Sequence, residues 1–599
     1  MRRLLSLVLT AVLATAVLAA VPSTTAGAAS PSYTVTPMWF RVTVGTGQTC
    51  TIVADRYTPK SASVNKQVPA ILTTNGFGGS KDDQAGLGRY FASRGYVVLS
   101  YSGLGFGGSG CKITLDDPQV DGVAASRLID YLGGKGGGFL DEKMTRPAPK
   151  LPVVKRDAVD HLGTKQKNDP RVGMVGVSYG GGIQFATAAV DPRLDTIIPG
   201  ATWNDLSYSL SPNNTAQTTG VSTSTPGAAK LVWALGFTGL GIVNGLSNAQ
   251  VDPARNVGCP NFADFVCPGV VTAGLTGAVD AATTKELRQR SVASYVGKVR
   301  IPTLLLQGQS DTLFNLNESV ATFQALRARK VPTKLVWING GHSGPNAPGE
   351  IDFAKPNPSS QHLTARITAW FDHYLKGAKT DTGPLFSYFR DWVSYTGTAR
   401  PAYATSTTFP VGSPMRWYLS GSALTTSKTK IAAGSQSLLT GPLGAPTSID
   451  TIDVAGDALP LPEIDLPGTF AAYTGPRLTK PIDVVGSPTL DLAVQAPTAL
   501  LTQSLDPATK LVLFVKVLDV GPDGKGEVVR DLVAPVRVPD ASKPFRVTLP
   551  GFVHRFEPGH AVKLVVAGGS VNYRGGLVPA PVTIATGSSS QVLSLPVVR

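Results

Sequence analysis

The chain has 599 residues, 42% hydrophobic and 16% charged, and carries a formal net charge of +14. That length and apolar content exclude a disordered chain and predict two or three globular domains. No long Lys/Arg run or basic–aromatic patch occurs, which excludes nucleic acid as a partner; weak association with anionic cell-wall polymers is the most the charge implies.

Arg2 and Arg3 precede an apolar, Ala-rich run from Leu4 to Val21, and Ala26-Gly27-Ala28 offers a small-residue cleavage site. Residues 1–28 therefore read as a signal peptide and the protein as secreted. A retained membrane anchor is the alternative, because the run approaches spanning length. Four cysteines are an even number, as two disulfides in an exported chain require. The favoured pairs are Cys50–Cys111 and Cys259–Cys267. No Cys/His spacing suits zinc, so neither metal nor cofactor is expected.

Residues 29 to about 36 read as a leader. Phe40 to Tyr57 alternates apolar and polar residues around Gly45-Thr46-Gly47, a β-hairpin signature at a sheet edge. Pro69–Thr74 and Tyr96–Tyr101 are buried strands, followed respectively by Asn75-Gly76-Phe77-Gly78-Gly79 and by the loop SGLGFGGSGC. Gly88–Ser93 and Val120–Leu132 have helical patterns. Lys135–Asn168 is polar and rich in Pro and Gly, with one short helix expected. Val172–Val177 is a compact apolar run leading into Gly176-Val177-Ser178-Tyr179-Gly180, and Ile183–Val190 has helical composition. A strand, a tight glycine turn and a helix are the context in which G-x-S-x-G lifts a serine hydroxyl clear of a sheet.

Leu194–Pro199 adds a strand, and then the alternation stops. Residues 205–295 are rich in Asn, Ser, Thr and Gly, with apolar helical pieces such as Ala228–Phe237 and Ala281–Tyr295; they read as an inserted cap. The sheet resumes at Ile301–Gly308, ends at the last core strand Lys334–Asn339, and is followed by an amphipathic helix over Gln361–Lys376. The βαβα order predicts a parallel sheet covered on both faces, with ligands beyond the carboxyl ends of its strands. Beyond about Pro384, short alternating strands separated by Gly/Pro turns, among them Gly521-Pro522-Asp523-Gly524, predict an antiparallel sandwich or jelly roll.

A serine hydroxyl needs a base to accept its proton, and the base needs an acid to orient it. Downstream of Ser178 the order Ser, Asp, His is met at two successive strand ends, by Asp311 in GQSDTLFN and His342 in NGGHSG. The other histidines fit less well. His362 and His373 fall on the amphipathic helix, His554 and His560 in the C-terminal β region, and His161 precedes the serine. Two backbone N–H groups are candidates for an oxyanion hole, that of Tyr179 after the nucleophile and that of Phe77 in the loop after Pro69–Thr74.

With these pieces in place the chain resembles the Xaa-Pro dipeptidyl-peptidase and cocaine-esterase-like serine acyl hydrolases. The resemblance rests on IVADRYTP, SGLGFGGSG, GVSYGG, TWNDLSYSL, GQSDTLFN, NGGHSG and FVHRFEPGHAVKLVVAGGS. It implies an α/β-hydrolase domain (29–204 and 296–383), a helical cap after the sixth strand (205–295) and a C-terminal all-β jelly-roll sandwich (384–599). Two motifs depart from the family. Its oxyanion loop commonly presents a tyrosine after a proline, where this chain has Gly76-Phe77. Its glycine loop carries Asp-x-Arg-Gly, where this chain has Tyr101-Ser102-Gly103-Leu104. A dipeptidyl-peptidase must also hold a free α-amino group, for which Asp205 in TWNDLSYSL is the candidate. The expected function is a secreted serine hydrolase acting on a small-molecule ester or an X-Pro peptide. A lipase or polyester hydrolase with an apolar acyl pocket, and a non-catalytic wall-associated binding protein, are the alternatives.

Overall fold

The computed structural model describes residues 31–454, 457–459 and 461–598; the expected signal peptide lies outside them. Ten strands form one sheet: β1 (Tyr33–Thr43), β2 (Thr49–Pro59), β3 (Ala70–Thr74), β4 (Val97–Tyr101), β5 (Val172–Val177), β6 (Leu194–Gly200), β7 (Thr303–Gly308), β8 (Thr333–Ile338), β9 (Phe386–Phe389) and β10 (Tyr403–Ser406). Their spatial order is β1-β2-β4-β3-β5-β6-β7-β8-β9-β10. Pairing is parallel from β4 through β9 and antiparallel at both edges. Every residue of β3, β4 and β7 is buried, as a sheet covered on both faces requires.

Among the helices are α1 (Ala85–Ala92), α2 (Val123–Leu132), α3 (Tyr179–Ala188), α4 (Leu206–Leu210), α5 (Leu231–Ser247), α6 (Val266–Thr276), α7 (Ala281–Gln289), α8 (Leu316–Ala328) and α9 (His362–Lys376). Strand alternation divides the core between two faces. Ile71, Val98 and Val175 pack with Phe91 of α1 and Trp370 of α9, while Leu72, Leu99 and Met174 pack with Leu128 of α2 and Phe185 of α3. In chain order, helices α4 to α7 fall between β6 and β7, which are themselves paired neighbours in the sheet.

From Ser413 to Val598 an eleven-stranded, almost wholly antiparallel sheet forms a nearly closed sandwich around Trp417, Leu513, Phe556 and Leu593. Its Arg537 is fully buried and donates to the carbonyls of Gly227 and Gly277, tying the sandwich to the segment around α5 and α6. Burial pushes that guanidinium down to about 10. The disulfides are Cys50–Cys111 and Cys259–Cys267, the favoured pairs.

Four local expectations are corrected. The leader ends earlier, because Tyr33 already pairs with Pro59 in β1. No helix occurs over residues 135–168. Arg156–Val159 and Lys165–Pro170 form an antiparallel ribbon there, turned at Gly163 with φ +81° and pinned by Asp160, which accepts from Leu162 and Thr164 N–H. Helix α5 continues ten residues beyond Phe237, through a Gly-containing stretch that tertiary packing holds helical. Finally, Lys334–Asn339 is not the last core strand: β9 and β10 follow it in the same sheet.

Candidate active site

Strand β5 is apolar and fully packed up to Gly176, and α3 begins at Tyr179, which leaves Ser178 to make the turn alone. It adopts φ +60° and ψ −122°, a region that costs a residue with a side chain of order 1–3 kcal/mol. Close approach explains the flanking glycines. A Cβ on Gly176 would meet the Gly180 carbonyl at 2.5 Å, and one on Gly180 the Thr74 carbonyl at 2.7 Å.

The loops after β7 and β8 bring the acid and the imidazole to this turn. His342 Nε2 lies 2.8 Å from Ser178 Oγ, and His342 Nδ1 lies 2.8 Å from Asp311 Oδ2. Asp311 is fully buried, and its Oδ1 accepts the N–H groups of Leu313 and Phe314 at 3.1 and 2.7 Å. Those bonds fix the carboxylate, so its remaining oxygen is directed at the ring. Gly341, with φ +154°, passes so close to Ser310 that a Cβ would sit 2.4 Å from its carbonyl. The arrangement can relay a proton from the hydroxyl to the ring and hold the resulting charge beside a carboxylate.

The loop after β3 runs alongside the nucleophile. A Cβ on Gly76 would stand 3.8 Å from Ser178 Cβ, which places Phe77 next to the turn. The Tyr179 N–H is the first of α3 and has no carbonyl within the helix to bond. The Phe77 ring meets those of Phe106, Phe237 and Phe262 at 5.1, 4.8 and 6.0 Å. Phe77, Phe237 and Phe262, together with Trp203, Phe314 and Leu115, wall a small cavity that opens on Ser178 and has no charged residue in its lining.

Asp205 is placed apart from the other five predicted residues. It is buried at the N-cap of α4, accepting from the Ser207 N–H and hydroxyl and from the hydroxyls of Ser222 and Ser291. It does not line the cavity. Beneath it Glu318 of α8 accepts the N–H groups of Asn204 and Asp205 and the Ser209 hydroxyl, and burial pushes Glu318 up to about 7.

Several site residues had no signal in the sequence reading. Lys230, at the start of α5, reaches the carbonyls of Thr312 and Leu313 beside Asp311, and Trp233 donates to Thr312 Oγ1 while its ring stands edge-on to His342 at 6.1 Å. Arg255 is fully buried and donates to the carbonyls of Gly105 and Ser109, fastening the cap to the glycine loop. Apart from Thr312 Oγ1, the acceptors that join these three residues to the loops around the site are backbone carbonyls, which leave no side-chain pattern to read.

Residues 47–231 match the family model of the X-Pro dipeptidyl-peptidase (S15 family), and residues 375–592 match that of the X-Pro dipeptidyl-peptidase C-terminal non-catalytic domain. A Rhodopirellula baltica protein, provisionally named an Xaa-Pro dipeptidyl-peptidase, is 25% identical over 428 residues, which is 68% of this chain and 56% of that protein. The chain thus matches little more than half the length of that relative. Among solved structures, an α-amino acid ester hydrolase shares the fold at a TM-score of 0.61 and 16% identity, with 96% of this chain and 98% of that chain covered. An aminopeptidase from a marine-sediment Thaumarchaeota archaeon gives 0.60 and 13%, over 97% and 99%. A CocE/NonD family hydrolase from Staphylococcus aureus gives 0.58 and 14%, over 94% and 93%.

Proposed function

This chain belongs to the X-Pro dipeptidyl-peptidase (S15) family, and we propose on that premise that it is a serine hydrolase cleaving carboxylic esters with an uncharged acyl group. The observation that carries the choice of ester over dipeptide is the cavity at Ser178, whose lining holds aromatic and aliphatic side chains and no carboxylate. A dipeptide's α-ammonium brought into it would lose its water and gain no partner. Asp205, the acid expected to receive such a group, already has four hydrogen-bond donors.

In this reading His342 Nε2 takes the Ser178 proton as Oγ attacks the acyl carbon. The N–H groups of Tyr179 and Phe77 receive the oxyanion, and Asp311 holds the imidazolium that forms. His342 returns the proton to the leaving alcohol, giving an acyl-serine. It then removes a proton from water as that water attacks the acyl carbon, and delivers the proton to Ser178 Oγ as the acyl–oxygen bond breaks and the acid leaves. The 2.8 Å contacts along Ser178, His342 and Asp311 support these roles. We also place the protein outside the cytoplasm, a reading that the two disulfides support.

An X-Pro dipeptidyl-peptidase is the second reading, favoured by the names of the two matching family models. Parallel assays on p-nitrophenyl butyrate and on an X-Pro-nitroanilide separate the two. Turnover of the butyrate with none of the nitroanilide is the expected result. Efficient release of nitroaniline with little ester turnover would transfer the chain to the peptidase reading, and loss of neither activity in Ser178→Ala would overturn both.

A further inference from the structure

Helices α5 and α6 pack against each other as the roof of the acyl cavity. Ala234, Phe237 and Thr238 of α5 and Val266 and Val270 of α6 line it. Neither helix contains a single charged residue. Such helices are normally enclosed by protein on all sides. Here each shows solvent a ridge of large apolar side chains. On α5 the ridge is Leu235, Val243 and Leu246, exposed by 54, 58 and 60%; the spacings of eight and three residues keep them on one face. On α6 it is Val271 and Leu275, one turn apart and exposed by 60 and 68%.

We infer that this outer face of the cap docks on the surface of a neutral, water-insoluble acyl-ester phase, so that the enzyme takes its substrate from an aggregate. The inference rests on the ester-hydrolase reading and names the physical state of the substrate. Two observations select this occupant. The exposed ridges and the cavity lining belong to the same two helices, so a surface lying on the ridges is one helix diameter, about 10 Å, from the cavity. The ridges are also uncharged on a chain of net charge +14, which matches an uncharged acyl surface and offers nothing to an anionic headgroup. Helix α5, at 17 residues, is part of the folded cap, and among the described residues no helix is long and apolar enough to cross a membrane. The contact is therefore with a surface, not across a bilayer. Leu240 adds a link to the site. It rests on the loop after β3, where a Cβ on Gly78 would touch it at 2.5 Å, so the docked helix bears directly on the loop that carries Phe77.

The test uses the full chain carrying Ser178→Ala, so that binding is read without turnover, and two double variants on that background, Leu235→Lys/Val243→Lys and Val271→Lys/Leu275→Lys. All four positions are solvent-facing, and melting curves confirm folding. Partition onto triolein emulsion droplets is measured by flotation at low and high salt, beside vesicles of phosphatidylglycerol and gel filtration of the free protein. Expected are droplet binding that high salt does not weaken, and a loss of about tenfold or more in each double variant. In the active chain, tributyrin turnover is expected to climb steeply above its solubility limit, and the lysine variants to lose that climb while still hydrolysing dissolved p-nitrophenyl butyrate. Absence of droplet binding, binding untouched by the lysines, binding confined to the anionic vesicles and erased by salt, or a dimer that the lysines dissociate in place of droplet binding would each overturn the inference. An active chain inert toward dissolved butyrate would instead sink the ester reading, whatever the droplets show.

Discussion

Adding one amino group to the substrate tests the cavity most sharply. p-Nitrophenyl butyrate and the p-nitrophenyl ester of 2-aminobutyrate share a carbon skeleton and a leaving group and differ in a single ammonium. The cavity beside Ser178 is walled by Phe77, Leu115, Trp203, Phe237, Phe262 and Phe314 and contains no carboxylate. An ion moved from water into such surroundings without a partner costs several kcal/mol even after relaxation. At about 4 kcal/mol, with 1.4 kcal/mol per factor of ten, kcat/KM falls by about 10³ for the amino ester. The complementary perturbation is Thr238→Asp, which sets a carboxylate in the lining at a position half-exposed on α5. It is expected to raise kcat/KM for the amino ester and lower it for the butyrate, narrowing the ratio by at least about tenfold. Initial-rate measurements of nitrophenol release at pH 7 on both esters and both proteins give all four numbers. Equal efficiencies in the wild-type chain, or a preference for the amino ester, would refute the reasoning from the cavity.

Three further outcomes are expected. Asp311→Asn keeps the side-chain shape but offers an N–H where His342 Nδ1 needs an acceptor; kcat/KM is expected to drop by about 10³ to 10⁴ with little change in melting temperature, and a drop under tenfold would remove Asp311 from its role. Glu318, raised by burial from the ordinary carboxyl range to about 7, binds a proton in the folded chain that the unfolded chain releases between about pH 4.5 and 7. Stability is then highest below that range and declines through it by up to about 3 kcal/mol, so the melting temperature of Glu318→Gln relative to wild type is expected to rise from pH 5 to pH 8, and parallel curves would contradict it. Cys50–Cys111 spans 61 residues and Cys259–Cys267 only 8, which in the loop-entropy account are worth about 4 and about 2.5 kcal/mol. Denaturant midpoints of the two paired Cys→Ser variants are expected to rank accordingly, and the reverse order would contradict the account.

The fold and the reacting groups were readable for a common reason: each left a local mark. Val172–Val177 is an unbroken apolar run because β5 is covered on both faces, and Gly176 and Gly180 are glycine because neighbouring backbone leaves no room for a Cβ. Asp311 and His342 each follow a strand that ends in glycine or asparagine, so their place at the sheet's carboxyl edge could be inferred without coordinates. The ribbon over 156–170 was missed because its order comes from Asp160 gathering local N–H groups and from Arg171 pairing with Asp157, not from an apolar period. Strands β9 and β10 were assigned beyond the sheet because they are four residues each and follow the composition change near Pro384. The attachment of the cap was unreadable in principle. Lys230 and Arg255 are buried cations whose bonds to the loops around the site go to main-chain carbonyls more than eighty residues away, and any residue type supplies those. The acid expected at Asp205 is a helix cap, a role that Asp takes as readily as ligand binding and that TWND alone does not distinguish.

The central claim is that Ser178, His342 and Asp311 act as one nucleophilic unit. The most direct measurement is the intact mass of the protein after exposure to a fluorophosphonate, with peptide mapping of any adduct. The account predicts one adduct per chain, located on Ser178, and labelling slowed by orders of magnitude in His342→Ala. An unlabelled wild-type chain, or labelling at the same rate without the imidazole, would contradict it.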